Sequence, residues 1–305
     1  MRQNGIIMKQ IAIIGGGVAG LSAAVYALRA GAKVTLFEQY GLGGLTATID
    51  KIENYPGFQS ISGWELAQDM ANQAKALGLD VVRQKVLSLG IIDEGFSIVT
   101  ETTLQTFPSV VIAVGTSHNK LGIEGDFVGK GVSYCATCDG NFFRGGTVAV
   151  VGNGSQAVRE ALYLCGVAKT VYVIFSEAEL NADAAMLAEL NACKNAVLIP
   201  STVVSAINGN EKVSSVTLFD GQSKTLNLDC LFVAVGSKPN TDWINIDGLN
   251  KRNGYLVVDE RRQTSIDGLF AAGDVTDGKL KQIVTACGDG ALAGSFAAAY
   301  AARKK

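Results

Sequence analysis

The chain of 305 residues has little of what marks several specialised protein classes. Charged residues make up 18% and prolines number 4, which excludes a disordered chain and a coiled coil. The 26 basic residues nearly balance the 28 acidic ones, so nothing points to nucleic acid or an anionic membrane. No apolar run approaches the roughly 18 residues of a membrane span, and the polar start, residues 1–10, lacks a secretory apolar core. We therefore expect a soluble cytoplasmic protein.

Histidine and cysteine are too scarce for most metal sites and for a disulfide scaffold. The only histidine is His118, which we expect in a loop. Of the 6 cysteines, only Cys135 and Cys138 form a pair by spacing. A structural zinc site requires a second Cys or His pair, which the sequence lacks, so we expect no metal. The remaining cysteines stand apart along the chain: Cys165, Cys193, Cys230 and Cys287.

What the chain has in abundance is glycine, with 36 residues, and length enough for two domains. The first glycine motif follows a short buried strand that the sequence predicts at 9–14. In Gly15-Gly16-Gly17-Val18-Ala19-Gly20, Gly15 makes the tight turn and Gly17 lets the backbone approach a pyrophosphate. Gly20 lets the following helix pack closely on the strand, and the helix N-terminus faces the phosphates.

An acidic residue completes this first motif. A second predicted strand, Lys33 to Phe37, ends in Glu38, which lies 18 residues beyond Gly20. This is where a carboxylate accepts a hydrogen bond from a ribose hydroxyl in dinucleotide-binding folds. The motif, its two flanking elements and the acid together predict dinucleotide binding.

The same pattern occurs again further along the chain. A predicted strand at 147–151 leads into Gly152-Asn153-Gly154-Ser155-Gln156-Ala157 and a helix towards Cys165, and a third strand-like run follows at 170–175. The recurrence predicts two Rossmann-like units in one chain.

The C-terminal stretch 269–275 indicates that the second unit is inserted into the first. It reads as a strand that ends in Gly273-Asp274, just before a helix that begins at about Gln282. Asp274 is suited to accept hydrogen bonds from the sugar or ribityl hydroxyls of a cofactor, and it is equally suited to an ordinary turn.

We therefore predict an α/β fold with two Rossmann-like dinucleotide-binding domains. Residues 1–116 and 247–305 form the first domain, which is discontinuous, and residues 117–246 form the inserted one. Two connecting segments of this kind allow a hinge between the domains.

The cysteine pair Cys135-Ala136-Thr137-Cys138 stands just before the second unit and is followed by Asp139. A buried structural pair is one interpretation. In a chain with dinucleotide folds, a dithiol that cycles with a disulfide is the more natural one. Asp139 is placed either to carry the proton that each thiol gains or loses, or to cap a helix or turn.

These motifs resemble the low-molecular-weight thioredoxin reductases over nearly the whole chain. Cys-Ala-Thr-Cys-Asp-Gly at 135–140 is highly specific. The matching stretches are 15–20, 53–58, 132–140, 232–236, 239–241 and 271–275.

The resemblance implies an FAD-dependent disulfide reductase that acts on thioredoxin or a similar protein and forms a homodimer. It implies that Cys138 faces the flavin and passes electrons to Cys135, which attacks the substrate disulfide, with Asp139 as acid and base. The residues that it implies for FAD binding are Gly15, Gly17, Gly20, Glu38, Gly44, Asn54, Gly273, Asp274 and Gln282.

The chain departs from the family pattern in two places. Where the family commonly has Gly-Gly-Gln-Leu, this chain has Gly43-Gly44-Leu45-Thr46, which lacks one amide. Where the family has a His-Arg-Arg cluster for the 2'-phosphate of NADPH, residues 174–179 contain no basic side chain. Residues 170–193 contain no Lys or Arg, and their acids would repel a phosphate: Glu177, Glu179, Asp183 and Glu189.

NADPH is therefore not the expected donor, and three alternatives remain. The chain resembles the ferredoxin-dependent flavin thioredoxin reductases, in which electrons come from a small iron-sulfur protein. Alternatively, Gly152, Gly154 and Ala157 hold NADH and Glu177 binds its ribose, or a second FAD occupies this fold. A non-catalytic flavoprotein that senses redox state is an alternative of another class, against which the intact Cys pair with Asp139 argues.

Overall fold

The computed structural model describes residues 10–49 and 51–303. Lys9, which the sequence assigns to the first strand, lies outside these residues. The helices within the described residues are α1 (Val18–Arg29), α2 (Gly63–Ala76), α3 (Ala136–Asp139), α4 (Ser155–Cys165), α5 (Ala184–Ala192) and α6 (Ile283–Ala301). The 3₁₀ turns there are Gly44–Thr48, Gly125–Phe127, Gly140–Phe143 and Gly273–Val275.

The strands of the described chain are short and rich in Val and Ile, as expected for buried sheets. They are β1 (Gln10–Ile14), β2 (Lys33–Phe37), β3 (Asp80–Val82), β4 (Val86–Ile92), β5 (Gly95–Thr100), β6 (Leu104–Phe107), β7 (Ser109–Ile112), β8 (Thr116–His118), β9 (Val132–Ser133), β10 (Thr147–Val151), β11 (Thr170–Ile174), β12 (Ala196–Ile199), β13 (Val203–Gly209), β14 (Val213–Phe219), β15 (Ser223–Asn227), β16 (Cys230–Val233), β17 (Ser237–Pro239), β18 (Lys251–Arg252), β19 (Tyr255–Leu256) and β20 (Leu269–Ala271).

The described chain divides into two compact units. The first comprises the described residues of Met1–Ser117 and Lys238–Lys305, and the second is His118–Ser237. The second unit thus interrupts the first, and its last residue precedes the expected boundary at 246. The residues after Ser237 join the first unit because Asn240 Nδ2 donates to Val114 O at 2.9 Å and Ile244 lies in that unit's core.

The first unit is built on a parallel sheet with strand order β20-β7-β1-β2-β3. Successive side chains of a strand point to opposite faces of its sheet. Ile11 and Ile13 accordingly pack in one core with the alanine-rich helices α1 and α6. Ala12 and Ile14 lie in a second core with apolar residues of the antiparallel sheet β4-β5-β6. The sheet is therefore buried on both faces.

The second unit repeats this architecture. Its parallel sheet has the order β12-β11-β10-β16-β9. Residues of α4 and α5 pack on one face with Val148 and Val150, and the antiparallel sheet β13-β14-β15 covers the other face with Ala149 and Val151. Each unit thus has a central strand that ends in a glycine motif and a helix, as the α/β prediction requires.

The position of His118 differs from the loop that the sequence predicts. His118 is the last residue of β8 and not a loop residue, and its ring stacks on that of Tyr134 with centroids 4.8 Å apart. Burial lowers the pKa of this histidine.

Among the helices of the described residues, none combines the length and the apolar character that a bilayer span requires.

Candidate functional site

The first glycine motif forms a turn, and the physical reason for a glycine differs from one position to the next. Gly15 has φ 107°, and a Cβ there would collide with Ala113 O. A Cβ on Gly20 would collide with Gly15 O, where α1 packs on the turn. These two glycines are therefore required by the protein's own packing.

Gly17 is different, because the protein itself does not require a glycine there. Its φ of -70° is open to any residue, and a Cβ on it would meet no atom within 4 Å. It lies immediately before α1, whose first backbone N–H groups lack partners within the helix. The missing side chain leaves this helix start open to an anionic ligand.

A cavity of about 630 Å³ opens in front of this turn within the first unit. Its volume lies in the range of cofactor sites. Among the predicted cofactor residues, those that line it are Gly15, Gly17, Glu38, Gly44 and Asp274. Those that do not line it are Gly20, Asn54, Gly273 and Gln282.

Glu38 follows β2 and lies at the edge of this cavity. Its two carboxylate oxygens accept from the backbone amides of Gly16 and Tyr40, each at 2.8 Å. These bonds fix the carboxylate next to the glycine turn. The arrangement leaves lone pairs on both oxygens, since a carboxylate accepts about four hydrogen bonds.

Asp274 is far from the first glycine motif along the chain, but it lines the same cavity. Burial raises the pKa of its carboxyl, Lys281 opposes this shift, and the nearby carboxylate of Asp289 adds to it. Lys281 Nζ donates to the carbonyl oxygens of Asp274 and Thr276, each at 2.6 Å. The lysine therefore fixes the backbone that carries Asp274.

The preceding Gly273 is fixed by an ion pair. Asp289 Oδ1 lies 2.8 Å from the Arg262 guanidinium, and its Oδ2 accepts from Gly273 N at 3.4 Å. Gly273 has φ 76°, which favours glycine. Gly273 thus shapes the turn before Asp274 without lining the cavity itself.

Asn54 and Gln282 are brought together although 228 positions separate them. Asn54 Nδ2 donates to Gln282 Oε1 at 3.0 Å. Gln282 is also the N-cap of α6, where its side chain and that of Thr285 form a reciprocal capping box. Both amide residues therefore contribute to how α6 begins, a role that the sequence did not predict.

The cysteine pair lies in the second unit, and a disulfide joins Cys135 to Cys138. Cys135 is the N-cap of the short helix α3, and the amides of Cys138 and Asp139 donate to Cys135 O at 3.2 and 3.1 Å. This single turn brings the two cysteines and the acid together.

Ser133 is a site residue that the sequence reasoning missed. The buried Ser133 hydroxyl donates to Asp139 Oδ2 at 2.6 Å and accepts from Cys135 N at 3.1 Å. It therefore connects the acid to the backbone of the cysteine turn. The available signal was a polar residue two positions before Cys135, in the otherwise apolar strand β9.

The second glycine motif also faces a cavity, of about 450 Å³, within the second unit. Gly152, Gly154 and Glu177 line it, and a Cβ on Gly154 would meet nothing within 4 Å. Asn153 Oδ1 is buried there without a hydrogen-bond partner. None of the described residues that line the cavity is basic. Its chemistry therefore suits an uncharged or hydroxyl-bearing group at the Glu177 end and not a phosphate.

Comparison with known proteins agrees with this geometry. A family model described as pyridine nucleotide-disulphide oxidoreductase matches residues 9–290. A thioredoxin reductase of Treponema pallidum is 40% identical over 296 residues, which cover 95% of this chain and 96% of the relative.

Solved structures give the same result. Thioredoxin reductase from Streptococcus pyogenes matches with a TM-score of 0.90 and 36% identity, covering 96% of this chain and 97% of that chain. A ferredoxin-flavin thioredoxin reductase from Clostridium acetobutylicum matches with a TM-score of 0.53 and 31% identity, covering 96% of each chain. The two predicted dinucleotide-binding folds are thereby confirmed.

Enzymes of this kind are FAD-binding disulfide oxidoreductases, which confirms the predicted cofactor at the level of the family. The first cavity fits FAD, because Gly17 leaves the start of α1 open for a pyrophosphate and two carboxylates are available for hydroxyl groups. The chain belongs to the pyridine nucleotide-disulphide oxidoreductases and is a flavoprotein disulfide oxidoreductase of the low-molecular-weight thioredoxin reductase type.

Proposed function

We propose that this enzyme reduces the disulfide of thioredoxin or a similar protein through Cys135 and Cys138. The observation that carries the proposal is the turn in which the Cys135–Cys138 disulfide, Asp139 and Ser133 are joined by hydrogen bonds. A metal-binding or purely structural pair does not need a buried hydroxyl that connects an acid to the cysteine backbone.

The FAD site of the proposal lies in the first unit. Gly17 and the first amides of α1 bind the pyrophosphate, and Glu38 and Asp274 accept from hydroxyl groups of the cofactor. Gly15, Gly20, Gly44 and Gly273 shape the backbone around it, and Asn54 and Gln282 position the start of α6.

When bound, FAD supplies the electron pair that reduces the Cys135–Cys138 disulfide. The remaining steps belong to the chain's own residues. The thiolate of Cys135 attacks the substrate disulfide, and Cys138 then displaces the reduced substrate and restores the internal disulfide. Asp139 carries the proton that the leaving thiolate requires, and Ser133 fixes its carboxylate at 2.6 Å.

We propose a protein electron donor, ferredoxin, in place of NADPH. Two observations support this. The described lining of the second cavity has no cation for a 2'-phosphate. Glu177 lies in the segment that follows β11, where the resemblance places the family's His-Arg-Arg cluster. A solved structure similar to this chain is that of a ferredoxin-flavin thioredoxin reductase.

NADH is the second candidate, and a specific observation favours it. The cavity of about 450 Å³, the open backbone at Gly154 and the carboxylate of Glu177 suit a nucleotide with a free ribose diol. Asn153 Oδ1 would gain a partner from a ligand donor. A second FAD would need the same contacts and stays a weaker alternative.

The experiment mixes the oxidised holoenzyme without oxygen with NADPH, NADH or reduced ferredoxin and follows the flavin absorbance in a stopped-flow instrument. Reduction by ferredoxin within one catalytic turnover supports the proposal, and its rate depends on ionic strength because charged surfaces guide the encounter. Rapid reduction by NADPH contradicts it, and rapid reduction by NADH alone establishes the second candidate.

The homodimer and the cytoplasmic location are further parts of the proposal. They rest on the resemblance and on the composition of the chain. Sedimentation equilibrium of the holoenzyme tests the dimer, and fractionation of the source cells tests the location.

A further inference from the structure

The hydroxyl of Thr137 lies beside one sulfur of the active-site disulfide. Its Oγ1 is 3.4 Å from Cys135 Sγ, which is a hydrogen-bond distance for sulfur. In the disulfide with Cys138, the sulfur of Cys135 carries no hydrogen. The hydroxyl of Thr137 is therefore the donor of this bond, and the sulfur accepts it.

The position of Cys135 on the helix explains why a side chain supplies this donor. Cys135 is the N-cap of α3, and Thr137 is the second residue of the helix. An N-cap side chain commonly accepts a hydrogen bond from a backbone amide of the first turn. Cys135 has no such bond. The Thr137 hydroxyl thus provides to the sulfur the hydrogen bond that the backbone does not.

The hydroxyl distinguishes the two sulfurs of the pair. Among the contacts of the described residues, no side-chain hydrogen bond reaches Sγ of Cys138. Cys135 is half-buried, so water has limited access to stabilise a negative charge on its sulfur. A hydrogen bond there favours the thiolate at Cys135 over the thiolate at Cys138.

The backbone that spaces Thr137 from Cys135 is held without the disulfide. The amides of Cys138 and Asp139 donate to Cys135 O at 3.2 and 3.1 Å. The amide of Cys135 donates to the buried hydroxyl of Ser133 at 3.1 Å. These hydrogen bonds involve no sulfur, so we expect the turn to keep its form when the disulfide is reduced.

We propose that Thr137 is a catalytic residue whose hydroxyl stabilises the Cys135 thiolate and thereby makes Cys135, and not Cys138, the sulfur that attacks the substrate disulfide. The inference rests on the proposed function, because it assigns a role within the same exchange. A hydrogen bond to an ionised acceptor is roughly twice as strong as one between neutral groups. The bond that the sulfur accepts in the disulfide therefore strengthens when Cys135 becomes an anion.

The exchange balances in two steps. The Cys135 thiolate forms a bond to one substrate sulfur, the substrate S–S bond breaks, and the leaving sulfur takes its proton from Asp139. Asp139 then accepts the proton of the Cys138 thiol, which attacks the Cys135 sulfur and releases the second substrate sulfur with that proton. The pair loses two hydrogens and two electrons, and the substrate gains them. Thr137 keeps its own hydrogen throughout.

The test measures the thiolate of Cys135 directly in the FAD holoenzyme with Cys138→Ser. The rate at which iodoacetamide alkylates the Cys135 peptide is followed by mass spectrometry across a range of pH. Adding Thr137→Val, which keeps the branched shape and removes the hydroxyl, should raise the midpoint of this profile by about one pH unit, the size expected of a hydrogen bond to a charged group. Adding Thr137→Ser, which keeps the hydroxyl, should leave the midpoint near that of the parent.

The alkylation rates give a second signature. A thiolate that loses a hydrogen bond becomes more basic and intrinsically more nucleophilic. With Thr137→Val, the rate should fall about threefold at a pH below both midpoints and rise about threefold at a pH above both. A merely structural change would not produce rates that cross in this way.

The same two Thr137 variants in the Cys135→Ser holoenzyme are the matched control. There the midpoint for alkylation of Cys138 should not change. An unchanged midpoint for Cys135 with Thr137→Val, an equal shift with Thr137→Ser, or an equal shift at Cys138 would each overturn the proposal. Alkylation needs no thioredoxin, so a failure of the proposed reductase function would appear separately, as absent thioredoxin reduction with these profiles intact.

Discussion

The Ser133 hydroxyl lies 2.6 Å from Asp139 Oδ2. The same hydroxyl accepts from the amide of Cys135, so one buried side chain connects the acid to the cysteine turn. Proton transfer to a leaving thiolate depends on where the acid is held, since a general acid must be within hydrogen-bond reach of its partner. Ser133 is therefore a positioning residue for Asp139.

Replacement Ser133→Ala should lower kcat for thioredoxin reduction by about tenfold, because a hydrogen bond to a charged group contributes on the order of 1.5 kcal/mol. KM for thioredoxin should change little, since Ser133 is buried. Steady-state kinetics with Ser133→Thr, which keeps the hydroxyl, provides the matched control. Equal loss of kcat in both variants would show that packing and not the hydroxyl matters.

Replacement Gly17→Ala should remove most of the FAD without unfolding the chain. A Cβ on Gly17 meets no protein atom within 4 Å, so the only group that it can obstruct is a ligand at the start of α1. The flavin absorbance per protein chain after gel filtration measures the loss.

Gly41→Ala is the matched control for this prediction. A Cβ on Gly41 also meets nothing within 4 Å, and Gly41 does not line the cavity. This variant should keep its full flavin content. Full flavin in Gly17→Ala would contradict the assigned pyrophosphate site.

Glu160 makes the stability of the protein depend on pH. Its Oε2 is buried without a hydrogen-bond partner. Burial raises the pKa of the carboxyl to about 7, while the hydrogen bond from Gln156 and the charge of Arg159 act to lower it. Because this pKa is higher in the folded chain than in the unfolded one, folding takes up a proton. The free energy of unfolding should therefore fall as the pH rises from about 4.5 to about 7 and should then stay level.

Replacement Glu160→Gln removes the buried charge and should stabilise the protein at pH 8 by about 3 kcal/mol. Below about pH 4.5, the variant and the wild type should differ little. Urea unfolding of the holoenzyme at several pH values measures both effects, and Glu179→Gln on the exposed segment after β11 is the control. A variant as pH-dependent as the wild type would refute this explanation.

The local chemistry of the site could be predicted from the sequence, because spacing along one element determines which backbone groups meet. Gly15 and Gly17 lie in the turn after β1 and Glu38 directly follows β2, and Cys135, Cys138 and Asp139 lie in one helical turn. Such groups are placed by the backbone that connects them.

Contacts between distant elements could not be predicted in this way. The Asn54–Gln282 hydrogen bond depends on how the segment around Asn54 packs against the start of α6, which leaves no pattern in the sequence. The end of the second unit was also uncertain, because Ile244 becomes buried only when the chain returns to the first unit's core.

Introducing arginine with Ser176→Arg and Glu177→Arg should give measurable NADPH binding in the second cavity. Both residues line it, and their replacement supplies the cations that a 2'-phosphate requires. Equilibrium dialysis with NADPH and NADH measures the effect. NADPH binding by the wild type at an equal level would show that the cavity does not need these cations, whereas higher salt should weaken binding only in the variant.

The central claim is that electrons pass to the substrate through the Cys135–Cys138 pair, and a single-turnover experiment tests it most directly. Dithionite-reduced holoenzyme is mixed with oxidised thioredoxin after removal of excess reductant, and the new thioredoxin thiols are counted over time. Wild type should form up to four thiols per flavin, because the reduced flavin and the reduced Cys135–Cys138 pair each carry two electrons, whereas Cys138→Ser and Cys135→Ser should each remain at background and Cys287→Ser should match the wild type. Reduction of thioredoxin at the wild-type rate by both single variants of the pair would contradict the account.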